Sequence, residues 1–158
     1  LMASENSKWL QHALAPALKA AGCGKAGATW RRTNAATVGV LNLQGSQWGP
    51  SFYVNLGVYF RALGDRERPS EASCHIRIRL SELVPNRERF NSLLDFEKPM
   101  QENVRARELE TLVIENAVPW LDALSTISGA RQYFSVQRPA AAWVTKEATA
   151  LLASSEGA

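Results

Sequence analysis

Apolar and polar positions alternate with a period of two from Phe52 to Phe60 (FYVNLGVYF). Phe52, Val54, Leu56, Val58 and Phe60 fall on one side, and Tyr53, Asn55, Gly57 and Tyr59 on the other, because successive strand side chains point to opposite faces. In Thr37 to Gln44 (TVGVLNLQ), Leu41 and Leu43 share one face, and Asn42 and Gln44 the other. In Cys74 to Leu80 (CHIRIRL), Cys74, Ile76, Ile78 and Leu80 are set against His75, Arg77 and Arg79. With the shorter Ala28 to Thr33 (ATWRRT), these stretches predict a four-stranded antiparallel sheet with one apolar and one polar face. The connector GSQWGPS makes the first two stretches neighbours. Their apolar sets share a face only if odd-numbered positions pair with even-numbered ones, since a one-residue slip would turn one set to solvent.

Elsewhere the period is helical. Glu5 to Ala21 carries Trp9, Leu10, Ala13, Leu14, Ala17 and Leu18 at three- and four-residue spacing, which predicts an amphipathic helix with Ser4 as its N-cap and Gly22 as its stop. Pro16 inside it predicts a kink or restart. After Pro85 a short helix is expected within Asn86 to Met100. A longer one is expected over Gln101 to Val118, and another from Pro119 to Ser128-Gly129. A turn or two should follow over Ala130 to Val136, and a last helix from Pro139 through Leu152. Strands first and helices after give one α+β domain over residues 4–153, with the N-terminal and C-terminal helices packed on the apolar sheet face. The expected core includes Leu14, Leu18, Leu41, Val54, Leu56, Val58, Ile76, Ile78, Leu112 and Leu121. The polar stretch Ala62 to Ser73 is expected to be an exposed, mobile loop.

The chain has 158 residues and a net charge of +3. The charge is uneven: Lys25 to Arg89 holds ten Lys and Arg against five acids, and the rest eight against ten. A basic sheet half favours an anionic partner. No apolar run is long enough for a membrane span, and the N-terminal LMASENSK lacks the apolar centre of a leader. Two cysteines, Cys23 and Cys74, make no disulfide framework, and a reduced cytoplasmic protein is expected.

Catalytic motifs are missing from the sequence. Gly22-Cys-Gly-Lys-Ala-Gly27 has the spacing of a dinucleotide loop, but a helix precedes it and a strand follows. That is the reverse of what places a pyrophosphate on a helix N-terminus. Cys74 and His75 are adjacent on a strand and cannot form a nucleophile–base pair. With two histidines and no His/Cys/carboxylate cluster, neither a metal nor a cofactor is expected. The remaining chemistry is the polar sheet face: Asn42, Gln44, Tyr53, Asn55, Tyr59, His75, Arg77 and Arg79. Arginine forks suit carboxylate or phosphate, and Tyr and Arg anchor interfaces. This face is the expected binding surface of a protein that is not an enzyme. Its partner would be a protein with an acidic surface; the alternative is nucleic acid or a phosphorylated ligand on the same face.

Four segments resemble a bacterial family called domain of unknown function 4304. LAPALKAAGCGKAGATWRR follows its L-x-P-x-L-K-x-x-G-F run, basic loop and aromatic–Arg strand, with Cys23 where the family has Phe. LNLQ at Leu41 to Gln44, FYVNLGVY at Phe52 to Tyr59 and IRIRLSEL at Ile76 to Leu83 continue the likeness over the first half of the chain. The resemblance implies a small α+β domain without established catalytic residues. Similar small domains serve as immunity proteins that neutralise bacterial toxins, so a toxin is the expected instance of the acidic partner.

Overall fold

The computed structural model describes residues 2–154. Its centre is a six-stranded antiparallel meander in sequence order. The strands are β1 (Gly24–Ala26), β2 (Thr29–Thr33), β3 (Thr37–Gly45), β4 (Phe52–Phe60), β5 (Ile76–Arg79) and β6 (Trp143–Val144). Four strands are therefore corrected to six; the two additions are the short edges. The β3–β4 register is the expected one: Leu41 pairs with Leu56 and Leu43 with Val54, odd with even throughout. β5 continues it, with Ile78 opposite Leu56 and Ile76 opposite Val58.

The inner apolar face is covered by helices α1 (Met2–Ala20), α2 (Arg87–Leu93), α3 (Glu102–Leu112), α4 (Val118–Ala123), α5 (Ile127–Val136) and α6 (Lys146–Ala153). Their buried apolar residues join those of β3, β4 and β5 in one core. Of the expected core, only Leu112 is less than fully buried, and it packs against that core from its edge. Among the described residues, no helix is long and apolar enough to cross a membrane.

Several helix boundaries differ from expectation for local reasons. α1 begins at Met2, so Ser4 lies inside it, and it continues through Pro16. Pro16 and His12 both lie on the exposed side, where solvent can satisfy the carbonyl that proline leaves free. At its end, Gly22 has φ +87°, with Gly22 N–H donating to Lys19 O and Cys23 N–H to Leu18 O. That is the paired bonding of a Schellman stop, which favours glycine. Gly27, at φ +60°, turns the two-residue β1–β2 hairpin, as a primed turn requires. The three glycines of the dinucleotide-like motif are thus a helix stop, an edge-strand residue and a hairpin turn.

The expected helix over Gln101 to Val118 is divided. α3 passes into a π turn at Val113–Ala117 before α4 begins, and Asn116 donates to Leu112 O within it. Buried Arg105 ties α3 to the end of α2 by donating to the carbonyls of Leu93 and Lys98. Ser128-Gly129 does not end a helix but opens α5, where the Thr126 hydroxyl caps Gly129 N–H. The helix expected from Pro139 starts only at Lys146, capped by Thr145. The residues before it form β6 instead, pairing with β5.

Candidate functional site

The outward sheet face is built from the alternate residues of each strand, and it has two halves. Over one half, Val38 and Val40 of β3 and Tyr59 of β4 form a small second core with Cys74. Residues 61–73 lie over it as a strap, with Pro69 buried against the sheet. The Tyr59 hydroxyl accepts from Arg66 N–H. Arg31 Nε donates to Pro69 O at 2.8 Å, and the Cys74 thiol points to Ser70 O. The loop is largely exposed, as expected, and through Pro69 and its bond to Tyr59 it also covers sheet surface that is itself apolar.

Cys74 is on this outward side, not with Ile76 and Ile78 as its parity predicts. The β5 ladder begins at Ile76, so Cys74 belongs to the end of the strap and its alternation does not carry over. Gly57 lies beneath it: a Cβ there would meet Cys74 Sγ at 2.7 Å. Burial pushes the Cys74 thiol up to about 12, with Glu71 adding to the effect. His75 also leaves its expected row. Its Nδ1 accepts from Phe60 N–H at 2.9 Å, and its ring stacks near Tyr59 at 4.6 Å. Burial lowers its pKa from the ordinary 6.5, partly opposed by Glu147. Tyr59 is buried and His75 half-buried, and both are engaged in contacts within the fold.

The other half is open. Asn42 faces Asn55, Gln44 faces Tyr53, and Arg79 lies across from Asn55. The amides are connected: Asn55 donates to Gln44 Oε1 at 2.8 Å and to Asn42 Oδ1 at 3.4 Å, and Asn42 donates to Thr29. The chain fixes Asn55, only 6% exposed, as the buried centre of a polar floor. Arg79 lies 3.9 Å over the Tyr53 ring, a diagonal cross-strand contact. Arg77 is directly opposite Trp143 of β6, its guanidinium 5.5 Å from the ring. A shallow groove of about 270 Å³ runs between Gln44, Asn55, Arg77 and Arg79.

Charge on this half is more balanced than the sequence suggests. Glu71 of the strap accepts two bonds from Arg77, at 2.9 and 3.1 Å, and this pairing raises the pKa of the guanidinium. Glu108 of the helical half pairs with Arg89 instead. Arg79 has no carboxylate partner among the described residues. Six of the eight expected site residues thus lie together on this half: Asn42, Gln44, Tyr53, Arg77 and Arg79 at its surface, and Asn55 buried in its floor. Sequence reasoning missed Trp143 and Glu71. Trp143 was hidden in an expected helix, and Glu71 in an expected loop. The division of the face did carry a signal: Val38 and Val40 occupy outward positions of TVGVLNLQ. Among the described residues, no group of three or more His, Cys, Asp or Glu is placed to hold a metal ion.

The family model described as Domain of unknown function (DUF4304) matches residues 14–123, reaching well into the helical half. No curated protein and no solved structure matches the chain.

Proposed function

We propose that this chain, which belongs to the family of the domain of unknown function DUF4304, is a non-enzymatic binding protein that docks an acidic partner protein on the open half of its sheet. One observation carries this reading. Two cation–aromatic pairs, Arg79 with Tyr53 and Arg77 with Trp143, stand together on the sheet face opposite the one that packs against the helices. Trp143 is 51% exposed. Trp, Tyr and Arg are the residue types that concentrate binding energy at protein interfaces, and the amide floor supplies fixed hydrogen-bonding groups between them. The unpaired Arg79 fork favours a partner that presents a carboxylate.

The groups that would make a nucleophilic enzyme are occupied otherwise. Cys74 is buried with its thiol held protonated, unlike an activated cysteine, and His75 Nδ1 already accepts a backbone bond. A bacterial toxin held inactive by docking is one instance of the proposed partner class. Nucleic acid on the same face has weaker support, because Glu71 neutralises Arg77 and the Glu82–Arg87 pair borders the groove. The experiment identifies the co-purifying partner by mass spectrometry from source cells. It then compares that partner's affinity for the natural chain and for Arg79→Glu. The reading requires a loss of affinity without a loss of folding.

A further inference from the structure

The positive charge that the sequence places in the sheet half collects on the far side of the strap. There a cleft of about 830 Å³ opens between the β1–β2 hairpin and residues 61–68, a volume in the range of small-molecule sites, about 300–1,000 Å³. Arg31 lines it from β2 and Arg61, Arg66 and Arg68 from the strap, with Asp65 and Glu67 as its acids. None of these four guanidinium groups has a carboxylate partner among the described residues. Lys25 is on the rim, but its ammonium lies 5.9 Å over Trp30, whose ring belongs to the inner core. It is not counted.

Two of the arginines are held in place by backbone carbonyls. Arg31 Nε donates to Pro69 O at 2.8 Å, and one terminal nitrogen of Arg61 donates to Asn34 O and Ala35 O at 3.1 and 3.2 Å. Each anchor leaves other N–H groups of the fork free, so part of the ordering cost of binding is met before a ligand arrives. Arg66 is positioned through its own backbone by Tyr59. Four guanidinium groups against two carboxylates suit a ligand with more than one negative charge, and Arg forks match phosphate oxygens. Among the described residues no aromatic side chain lines the cleft, so they offer no platform on which a nucleobase would stack.

We infer that this cleft binds a small ligand carrying two or more phosphates, recognised through its phosphates and not through a base. The site lies on the other side of the strap from the open half, and the failure of either proposal leaves the other standing.

The test is calorimetric titration at about 0.15 M salt, where exposed charges are largely screened. The probes are inorganic tripolyphosphate, ATP, GTP and orthophosphate. Tripolyphosphate should bind saturably, one per chain, with both nucleotides close to it in affinity and orthophosphate at least about tenfold weaker. Arg66→Gln with Arg68→Gln should weaken tripolyphosphate at least about tenfold, whereas Arg107→Gln on the exposed side of α3 should leave it unchanged. Arg66 and Arg68 are both exposed, and a melting curve of the double variant checks that it folds. Absence of saturable binding overturns the inference, as does an equal loss in Arg107→Gln. Tighter binding of a single-stranded oligonucleotide with a steep salt dependence also overturns it, in favour of a nucleic-acid track.

Discussion

The Tyr59 hydroxyl accepts a hydrogen bond from the backbone N–H of Arg66 at 3.2 Å. Tyr59 is buried on the outward sheet face, and a Cβ on Gly64 would collide with its hydroxyl. The contact fastens the strap to the sheet and so sets where the open surface ends. Tyr59→Phe removes the acceptor and should cost about 1 kcal/mol. Hydrogen exchange should rise in residues 61–73 and stay unchanged in β3 and β4. Unaltered exchange in the strap would mean that Pro69 and Arg31 hold it without Tyr59.

The contact between Gly57 and Cys74 is a second fastening. Gly57→Ala brings a methyl group to 2.7 Å from Cys74 Sγ, and overpacking of this kind costs about 1–3 kcal/mol. Adding Cys74→Ala should recover part of the loss in denaturant unfolding, because the sulfur is the nearest atom. No recovery would show that the Cys74 Cβ, at 2.8 Å, sets the clash.

Burial and a thiol pKa near 12 also predict how Cys74 reacts. Native protein should keep Cys74 unmodified by iodoacetamide at neutral pH, with labelling at the rate of unfolding. Mass spectrometry after timed labelling reads this directly. Rapid native modification would mean that the strap lifts readily.

The parts of this fold legible in the sequence are those where alternation runs long enough to fix a face. β3 and β4 have nine residues each, and Leu41, Val54 and Leu56 set their register. The edges were not legible. Gly24–Ala26 is exposed at every position, so it carries no apolar rhythm. Trp143–Val144 is only two residues long and is a strand through its pairing with β5. Cys74 was placed on the wrong face because alternation was carried past the end of the ladder. Of the candidate site, the Arg77 and Arg79 row and the amide floor could be read from parity. Glu71 beside Arg77 and the strap over Tyr59 depend on how a polar loop returns across the sheet, which no local pattern encodes.

His75 gives the fold a pH dependence. Its folded pKa lies below the ordinary 6.5 because burial disfavours the imidazolium, so the unfolded chain binds the proton more readily. The contribution of neutral His75 is therefore full above about pH 6.5 and is lost as the pH falls through the lowered value. Between about pH 7.5 and 5.5 the melting temperature of the natural chain should fall more than that of His75→Gln. Parallel curves would remove His75 as the cause.

If the open half of the sheet is a docking surface, Arg79 and Trp143 should carry much of the binding. Arg77 is unsuitable because an acid there would face Glu71 and disturb the strap. Arg79→Glu and Trp143→Ser lie on exposed positions and should each leave stability within about 0.5 kcal/mol. The measurement is the affinity of the mass-spectrometrically identified partner for the natural chain and for each variant, with a melting curve for every protein. Docking on this face requires a loss of at least about tenfold for each variant, equivalent to about 1.4 kcal/mol, with melting unchanged. Unchanged affinity in both variants, with melting also unchanged, would contradict it.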